Sequence, residues 1–171
     1  MLEQIAGIRM LLMDVDGVLT DSRIIFDSNG IESKFFNVKD GQGIKMVQRS
    51  GIEVGIISGR ESQVVRNRAE ELGISRVYLK VCDKLVPYRE ILADTGLLDR
   101  QIAYIGDDII DIPILRRVGF AAAPADAVAE VHPFVHYVAK NGGGWGAVRE
   151  VCDLLLKGQK KWEAITASYL A

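Results

Sequence analysis

The stretch IRMLLMDVDGVLT, residues 8–20, decides the fold of this chain of 171 residues. Residues 8–15 form an apolar run with little alternation, which is typical of a β-strand that is covered on both faces. Similar runs recur further along the chain, at residues 52–58, 77–81, 102–106, 120–123 and, more weakly, 134–139. A series of buried strands of this kind predicts a parallel sheet.

Segments with the apolar spacing of helices lie between these runs, at residues 43–50, 62–72, 83–95, 108–118 and 147–161. The first four are each followed by a glycine, a common helix stop. The alternation of strand and helix predicts an α/β fold: a three-layer, doubly wound parallel sheet with right-handed crossovers.

One segment departs from this alternation of strands and helices. Residues 23–39, RIIFDSNGIESKFFNVK, hold two β-prone runs around Asn29-Gly30, which predicts a β-hairpin inserted after the first strand.

Composition bounds the class of protein. With 49% hydrophobic and 26% charged residues, residues 1–171 are expected to form a single globular domain that ends in a helix and tail over about 147–171. A net charge of -2 gives no reason to expect nucleic acid or an anionic membrane as a partner. Cys82 and Cys152 do not form a disulfide framework, and neither a signal peptide nor a membrane-spanning run is visible, so we expect the cytoplasm.

Polar residues follow four of the predicted strands, at the points where those strands end. They are Asp14 and Asp16 after the first, Ser58 after the second, Lys84 after the third, and Asp107, Asp108 and Asp111 after the fourth. In open α/β sheets, ligands bind at the carboxyl ends of the strands. Crowded carboxylates repel one another, and a hard cation such as Mg²⁺ relieves that repulsion. Convergence at one sheet edge therefore predicts a metal-assisted site.

Each cluster alone has a plainer explanation. Asp-x-Asp-Gly is about as often a turn as a site, Ser58 suits a helix N-cap, and Lys84 suits an exposed lysine. A calcium EF-hand is excluded because its loop needs glycine at the sixth position, whereas Gly17 is the fourth. A glycosyltransferase Asp-x-Asp motif stays open on these residues alone, but it leaves Lys84 and the later acidic cluster unexplained.

Taken together and in order, the clusters resemble the four motifs of the haloacid dehalogenase phosphatases: DVDGVLT (14–20), Ser58, Lys84 and GDDIID (106–111). The resemblance implies that Asp14 is the nucleophile and becomes an aspartyl phosphate, while Asp16 acts as general acid and base. It also implies that Asp14, the backbone carbonyl of Asp16 and Asp107 hold Mg²⁺, with Asp108 or Asp111 in support. Ser58 and Lys84 then grip the phosphoryl oxygens.

A finer resemblance is visible in FNVKDGQGI (36–44), IISGR (56–60), DKL (83–85), AYIGDDIIDIP (103–113) and GAVREVCDLLL (146–156). These segments are similar to the family of the 3-deoxy-D-manno-octulosonate 8-phosphate (KDO 8-phosphate) phosphatases, which serve lipopolysaccharide precursor synthesis. The resemblance implies substrate contacts by Asp16, Lys84 and a further set: Asn37, Val38, Lys39, Asp40, Gly41, Lys45, Arg60 and Arg68. Basic residues suit a substrate that carries a carboxylate as well as a phosphate. The chain departs from the family at Trp145, where an arginine is usual, and at residues 80–83, which lack the usual glycine.

The resemblance also implies a capless enzyme, because neither interval between the motifs has room for a lid domain. We therefore expect a homo-oligomer whose subunits complete one another's active sites, and the family resemblance implies a tetramer. The apolar hairpin residues are the expected interface: Ile24, Ile25, Phe26, Ile31, Phe35 and Phe36. Two further classes stay open at this point: a nonulosonate (sialic-acid-like) 9-phosphate phosphatase, and a non-catalytic oligomerisation or regulatory domain of the same fold.

Overall fold

Six strands form one parallel sheet, and the first strand in the chain lies inside it. The computed structural model describes residues 2–170. In spatial order the strands are β5 (Arg76–Tyr78), β4 (Glu53–Ile57), β1 (Met10–Met13), β6 (Ile102–Ile105), β7 (Phe120–Ala123) and β8 (Tyr137–Val138). Every neighbouring pair is parallel. The predicted α/β fold and its parallel sheet are confirmed.

Helices cover both faces of the sheet and create two separate apolar cores. One core includes Leu11 and Met13 of β1, and the other includes Met10 and Leu12, because successive side chains of a strand point to opposite faces. The first core is covered by α1 (Leu2–Ala6), α2 (Val38–Arg49), α3 (Gln63–Leu72) and α6 (Ala147–Gly158), and the second by α4 (Leu85–Thr95) and α5 (Ile112–Leu115). All four side chains of β1 are fully buried, as the apolar run predicts.

The chain reverses its direction of travel across the sheet beside β1. It first builds β1, β4 and β5 toward one edge, then returns to place β6, β7 and β8 on the other side. Ligands of open α/β sheets bind at such a switch point, outside the carboxyl ends of the strands. The ends of β1 and β6 are adjacent here, since Met13 pairs with Ile105. This crevice is where the acidic motifs lie.

Three predicted helix boundaries are corrected by the structure. Helix α2 begins at Val38, with Asn37 as its N-cap, so the last residues of the predicted hairpin are helical instead. The helix predicted over 108–118 is a 3₁₀ turn at Ile109–Asp111 followed by the short α5, which has a proline in its first turn. Helix α6 ends at Gly158, and a separate helix, α7 (Trp162–Leu170), follows it.

The predicted hairpin is present as an antiparallel pair, β2 (Ile25–Phe26) and β3 (Glu32–Ser33). Its turn is held by the Asp27 carboxylate, which accepts hydrogen bonds from the backbone N–H of Asn29 and Ile31, at 2.9 and 2.8 Å. Gly30 supplies the left-handed conformation of the turn, with φ of 77°. Apolar side chains remain exposed on this hairpin, at Ile24, Phe26, Ile31 and Phe35.

The two cysteines are unpaired thiols, Cys82 on the surface and Cys152 in the core. Among the helices within residues 2–170, none has the length and apolar character needed to cross a bilayer.

Candidate active site

Asp14 follows the last residue of β1 and lies almost fully buried at the switch point. Its Oδ1 accepts a hydrogen bond from the backbone N–H of Val15 at 2.7 Å, and its Oδ2 lies 2.8 Å from Lys84 Nζ. Burial raises the pKa of Asp14 to about 6, although the Lys84 ammonium opposes that rise. The carboxylate is thus held in a fixed orientation, with a cation against one of its oxygens.

Lys84 connects Asp14 to a second buried carboxylate, Asp111. The Lys84 ammonium lies 2.7 Å from Asp111 Oδ1, which also accepts a 2.6 Å hydrogen bond from the Tyr104 hydroxyl. Asp111 Oδ2 accepts from the backbone N–H groups of Asp107 and Asp108, at 3.1 and 3.3 Å. Burial alone would lower the pKa of Lys84, but the two carboxylates raise it above its ordinary value. Lys84 therefore stays charged.

Asp107 completes a set of three acids that fits a divalent cation. Its Oδ1 is buried, and within the part of the chain that the structure describes it has no hydrogen-bond partner. Burial, together with repulsion from Asp14 and Asp111, raises the pKa of Asp107 to about 8. One oxygen from each of Asp14, Asp107 and Asp111 lies within 4.8 Å of the others. Oxygen donors crowded in this way are what Mg²⁺ prefers, so the residues fit the metal.

Asp108 and Asp111, the two candidates for a supporting metal ligand, lie in different surroundings. Asp108 is exposed, and its Oδ1 accepts a 2.6 Å hydrogen bond from the N–H of Ile109, which caps the 3₁₀ turn. Asp111 is fully buried, and each of its oxygens already accepts bonds from protein groups. Asp111, unlike Asp108, supplies an oxygen to the set of three acids, and its bonds also suit it to hold Lys84 in place.

Asp16 lies at the mouth of the crevice among cations. Its carboxylate pairs with Lys34 of the hairpin, and its Oδ2 is 3.5 Å from Arg60 Nε. Ser58 follows β4 and is buried, with its backbone N–H bonded to the Tyr78 carbonyl and its hydroxyl accepting from the N–H of Arg60 at 3.4 Å. The structure thus brings Asp14, Asp16, Ser58, Lys84 and the later acids to one edge of the sheet.

Two glycines allow the loops of this site to nest. At Gly17, with φ of 89°, a Cβ would lie 1.9 Å from Asp107 Oδ2. At Gly143, a Cβ would lie 1.9 Å from the Gly17 carbonyl oxygen. The glycine-rich loop over residues 142–146 therefore backs directly onto the loop that carries Asp16.

The predicted substrate residues divide into two groups. Asn37 donates from Nδ2 to the Gly144 carbonyl at 3.2 Å, and Arg68 donates to the Asn37 carbonyl at 3.4 Å, so both lie beside the glycine-rich loop. Val38 and Lys39 are exposed at the start of α2. Arg60 therefore brings its donors beside Asp16, whereas Asn37 and Arg68 lie beside the glycine-rich loop.

The second group does not face the acids. Asp40 is buried and accepts the N–H of Arg149 at 2.7 Å, which ties α2 to the start of α6. Gly41 is buried where a Cβ would lie 2.4 Å from an Arg68 nitrogen. The Lys45 ammonium donates to the Glu71 carbonyl at 2.9 Å, near the end of α3. Within this subunit, these three residues pack and connect helices rather than line the crevice.

Glu32 and Lys34 belong to the site but were missed by the sequence analysis. Glu32 Oε1 lies 3.0 Å from Arg60 Nη2, and its other oxygen accepts from the Ser62 hydroxyl. A signal was present in the sequence: charged residues alternate with apolar or small ones at 31–35, which is typical of a strand with one charged face.

Known proteins resemble this chain along most of its length. It is 47% identical over 165 residues to the 3-deoxy-D-manno-octulosonate 8-phosphate phosphatase of Yersinia pestis, covering 96% of this chain and 88% of that protein. It is 46% identical to the enzyme of the same name from Escherichia coli K12, over 91% and 82%. A crystal structure of the Moraxella catarrhalis phosphatase, in complex with magnesium, phosphate and KDO, superposes with a TM-score of 0.96 at 39% identity, over 98% and 97% of the two chains. No family model matches the chain.

Proposed function

The chain belongs to the KDO 8-phosphate phosphatase family of the haloacid dehalogenase superfamily, and from that membership we propose that it hydrolyses KDO 8-phosphate to KDO and inorganic phosphate. The reaction serves the synthesis of lipopolysaccharide precursors. The observation that carries the proposal is the placement of Lys84 between Asp14 and Asp111, near the Asp107 oxygen that lacks a hydrogen-bond partner within residues 2–170. A nucleophile, a phosphate-binding cation and a metal site then occupy one crevice.

Asp14 is the nucleophile. Its carboxylate attacks phosphorus, the bond from phosphorus to the sugar oxygen breaks, and an aspartyl phosphate forms on Asp14. Lys84 and Ser58 hold the phosphoryl oxygens, where the ammonium offsets charge in the transition state. Asp16 gives a proton to the departing sugar oxygen and then takes one from the water that hydrolyses the aspartyl phosphate. Asp14 is released with inorganic phosphate.

Asp14 and Asp107 would hold Mg²⁺, with Asp111 as the nearest supporting acid, and the family resemblance adds the backbone carbonyl of Asp16 as a further ligand. When bound, the ion supplies positive charge that offsets the repulsion between the carboxylates and the phosphate. Without it, burial and mutual repulsion keep Asp107 largely protonated at neutral pH, since its pKa is about 8. Metal loading and the ionisation of this site are therefore linked.

The sugar acid is recognised by the basic residues at the mouth of the crevice. Arg60 binds the substrate carboxylate, for which a guanidinium offers two parallel donors. In the free protein this guanidinium is engaged by Glu32 and Asp16, so the substrate carboxylate replaces one of them. Arg68 and Asn37 lie next to the glycine-rich loop and would contact the sugar from there.

A panel of phosphate esters tests the assignment. KDO 8-phosphate, a nonulosonate 9-phosphate, common hexose phosphates and 4-nitrophenyl phosphate are compared by kcat/KM, with Mg²⁺ and with chelator. We expect KDO 8-phosphate to give the highest value and chelation to abolish turnover. A clearly higher kcat/KM for the nonulosonate 9-phosphate would move the function to that alternative. Absence of hydrolysis with every ester would leave a non-catalytic domain.

We also propose that the enzyme works in the cytoplasm as a homotetramer. The exposed apolar side chains of the hairpin support assembly, because a two-stranded ribbon with Phe26 and Phe35 in water is marginal alone. The exposed thiol of Cys82 suits a reducing compartment. Light scattering at assay concentration tests the assembly, and a fully active monomer would contradict it.

A further inference from the structure

Strand β3 and the residue after it present the charges of Glu32 and Lys34 inward, while the flanking Ile31 and Phe35 face outward. Side chains at 32, 34 and 36 are half-buried against the domain, while those at 31, 33 and 35 are exposed, so the strand has the two-residue period of a pleat. The inward positions include Glu32 and Lys34, whereas the outward ones include Ile31 and Phe35, at 62% and 68% exposure. This inverts the usual pattern of a strand on a core. The inward charges therefore face something other than an apolar core.

Lys34 faces the predicted proton donor. Its side chain is 1% exposed, and its ammonium pairs with Asp16 Oδ1 and lies 3.5 Å from Glu32 Oε1. Burial of a lysine is unfavourable unless its charge is paired, and an apolar side chain of the same size would stabilise the hairpin as well. Stability alone thus does not account for a lysine at this position.

Two cations lie beside Asp16, Arg60 and Lys34, and the proposed role of Arg60 in substrate binding leaves Lys34 as the one that stays with Asp16 during the reaction. Arg60 Nε lies 3.5 Å from Asp16 Oδ2, and Arg60 is the residue proposed to turn to the substrate carboxylate. Lys34 comes from the other side and is held by Glu32, which is itself fixed by the Ser62 hydroxyl. When Arg60 binds substrate, Lys34 remains to hold the Asp16 carboxylate.

We propose that Lys34 is a positioning residue of this phosphatase, which orients the Asp16 carboxyl group toward the leaving oxygen of the substrate. The inference rests on the proposed function, because it takes Asp16 as the proton donor. Small errors in the placement of a catalytic group lower rates by about a hundredfold. Since Lys34 lies on the hairpin, whatever orders the hairpin also orders the proton donor.

The experiment compares two esters whose leaving groups differ in their need for a proton. The alkoxide of KDO is a poor leaving group and needs protonation by Asp16, whereas 4-nitrophenolate leaves as a stable anion. Lys34→Met removes the charge and keeps an unbranched chain only one atom shorter, and Lys34→Arg keeps the charge. Lys157→Met, at an exposed lysine over the Trp162 ring, is the matched control. Single-turnover rates with excess enzyme isolate phosphoryl transfer to Asp14 from the later hydrolysis.

We expect Lys34→Met to slow transfer from KDO 8-phosphate by about tenfold to a hundredfold, and from 4-nitrophenyl phosphate by no more than about threefold. Lys34→Arg should restore most of the rate, and Lys157→Met should match the unmodified protein. Equal losses with both esters would overturn the proposal in favour of a structural role. A raised KM with unchanged kcat would overturn it in favour of a direct substrate contact.

Folding and the proposed function are controlled separately. Circular dichroism and light scattering check each variant, and if Lys34→Met does not fold, Lys34→Gln is assayed in the same way. If the unmodified protein leaves KDO 8-phosphate intact, the proposed substrate fails, and the comparison uses whichever alkyl phosphate of the panel it hydrolyses. If it hydrolyses no ester, both proposals fall together.

Discussion

Binding of Mg²⁺ to this protein is expected to release about one proton at pH 7. The reason is the crowding of Asp14, Asp107 and Asp111, whose oxygens lie within 4.8 Å of one another. Burial and repulsion raise the pKa of Asp107 to about 8 and burial raises that of Asp14 to about 6. A carboxylate must be ionised to bind the cation, so each group that is protonated in the free protein gives up its proton on binding.

The size of the effect follows from these two pKa values. At pH 7, a group with a pKa of 8 is roughly nine-tenths protonated and one with a pKa of 6 roughly one-tenth, which together make about one proton. Because raised pKa values keep protons on the site at low pH, affinity for Mg²⁺ increases as pH increases. The apparent dissociation constant should fall about 17-fold between pH 6 and pH 7 and about tenfold between pH 7 and pH 9.

Isothermal titration calorimetry in buffers of different ionisation enthalpy measures the released protons directly. The experiment uses buffers that do not bind Mg²⁺ and covers pH 6 to 9. In Asp107→Asn, the release at pH 7 should drop to a small fraction of a proton, since the main titrating group is gone. An affinity that does not change with pH, or a release that persists in Asp107→Asn, would refute the linkage between Asp107 and the metal.

Three further outcomes are expected. Asp14→Asn should lower turnover of any phosphate ester by several orders of magnitude while circular dichroism stays unchanged, and near-normal activity would remove Asp14 as the nucleophile. Tyr104→Phe deletes the 2.6 Å hydrogen bond to the buried carboxylate of Asp111. The free energy of unfolding measured in urea should therefore fall by about 1.5–3 kcal/mol, and an unchanged midpoint would show that this bond is unimportant. Charged substitutions at Ile25 and Phe35 should dissociate the oligomer in light scattering and lower activity in parallel, whereas active monomers would separate assembly from catalysis.

The fold was predictable because it depends on local patterns that agree with one another. The unalternating run before Asp14 identifies a strand buried on both faces, and the glycines after the helices mark where the chain turns back to the sheet. Once the sheet is parallel, the polar residues after its strands must meet at one edge. Their convergence in the structure therefore required no knowledge of side-chain positions.

The parts that could not be predicted depend on long-range placement. Glu32 and Lys34 alternate with apolar or small residues, but the contact of Lys34 with Asp16 depends on which way the hairpin folds over the sheet. Lys45 looks like a basic residue near a motif, but its position along α2 brings its ammonium to the end of α3. Helix α7 packs on the core through Trp162 and Ile165, a contact with distant parts of the chain.

The nested glycines have a consequence for the design of variant libraries. Side chains are excluded at Gly17 and Gly143, because each would collide with the neighbouring loop at 1.9 Å. Trp145, in the same loop, is 65% exposed and borders a groove of about 370 Å³ with Phe36 and Asn37. Randomisation of this loop should therefore yield active clones with diversity at Trp145 and almost none at the glycines. Within residues 142–146, Trp145 is therefore the position at which substitutions can be tested for an effect on sugar preference.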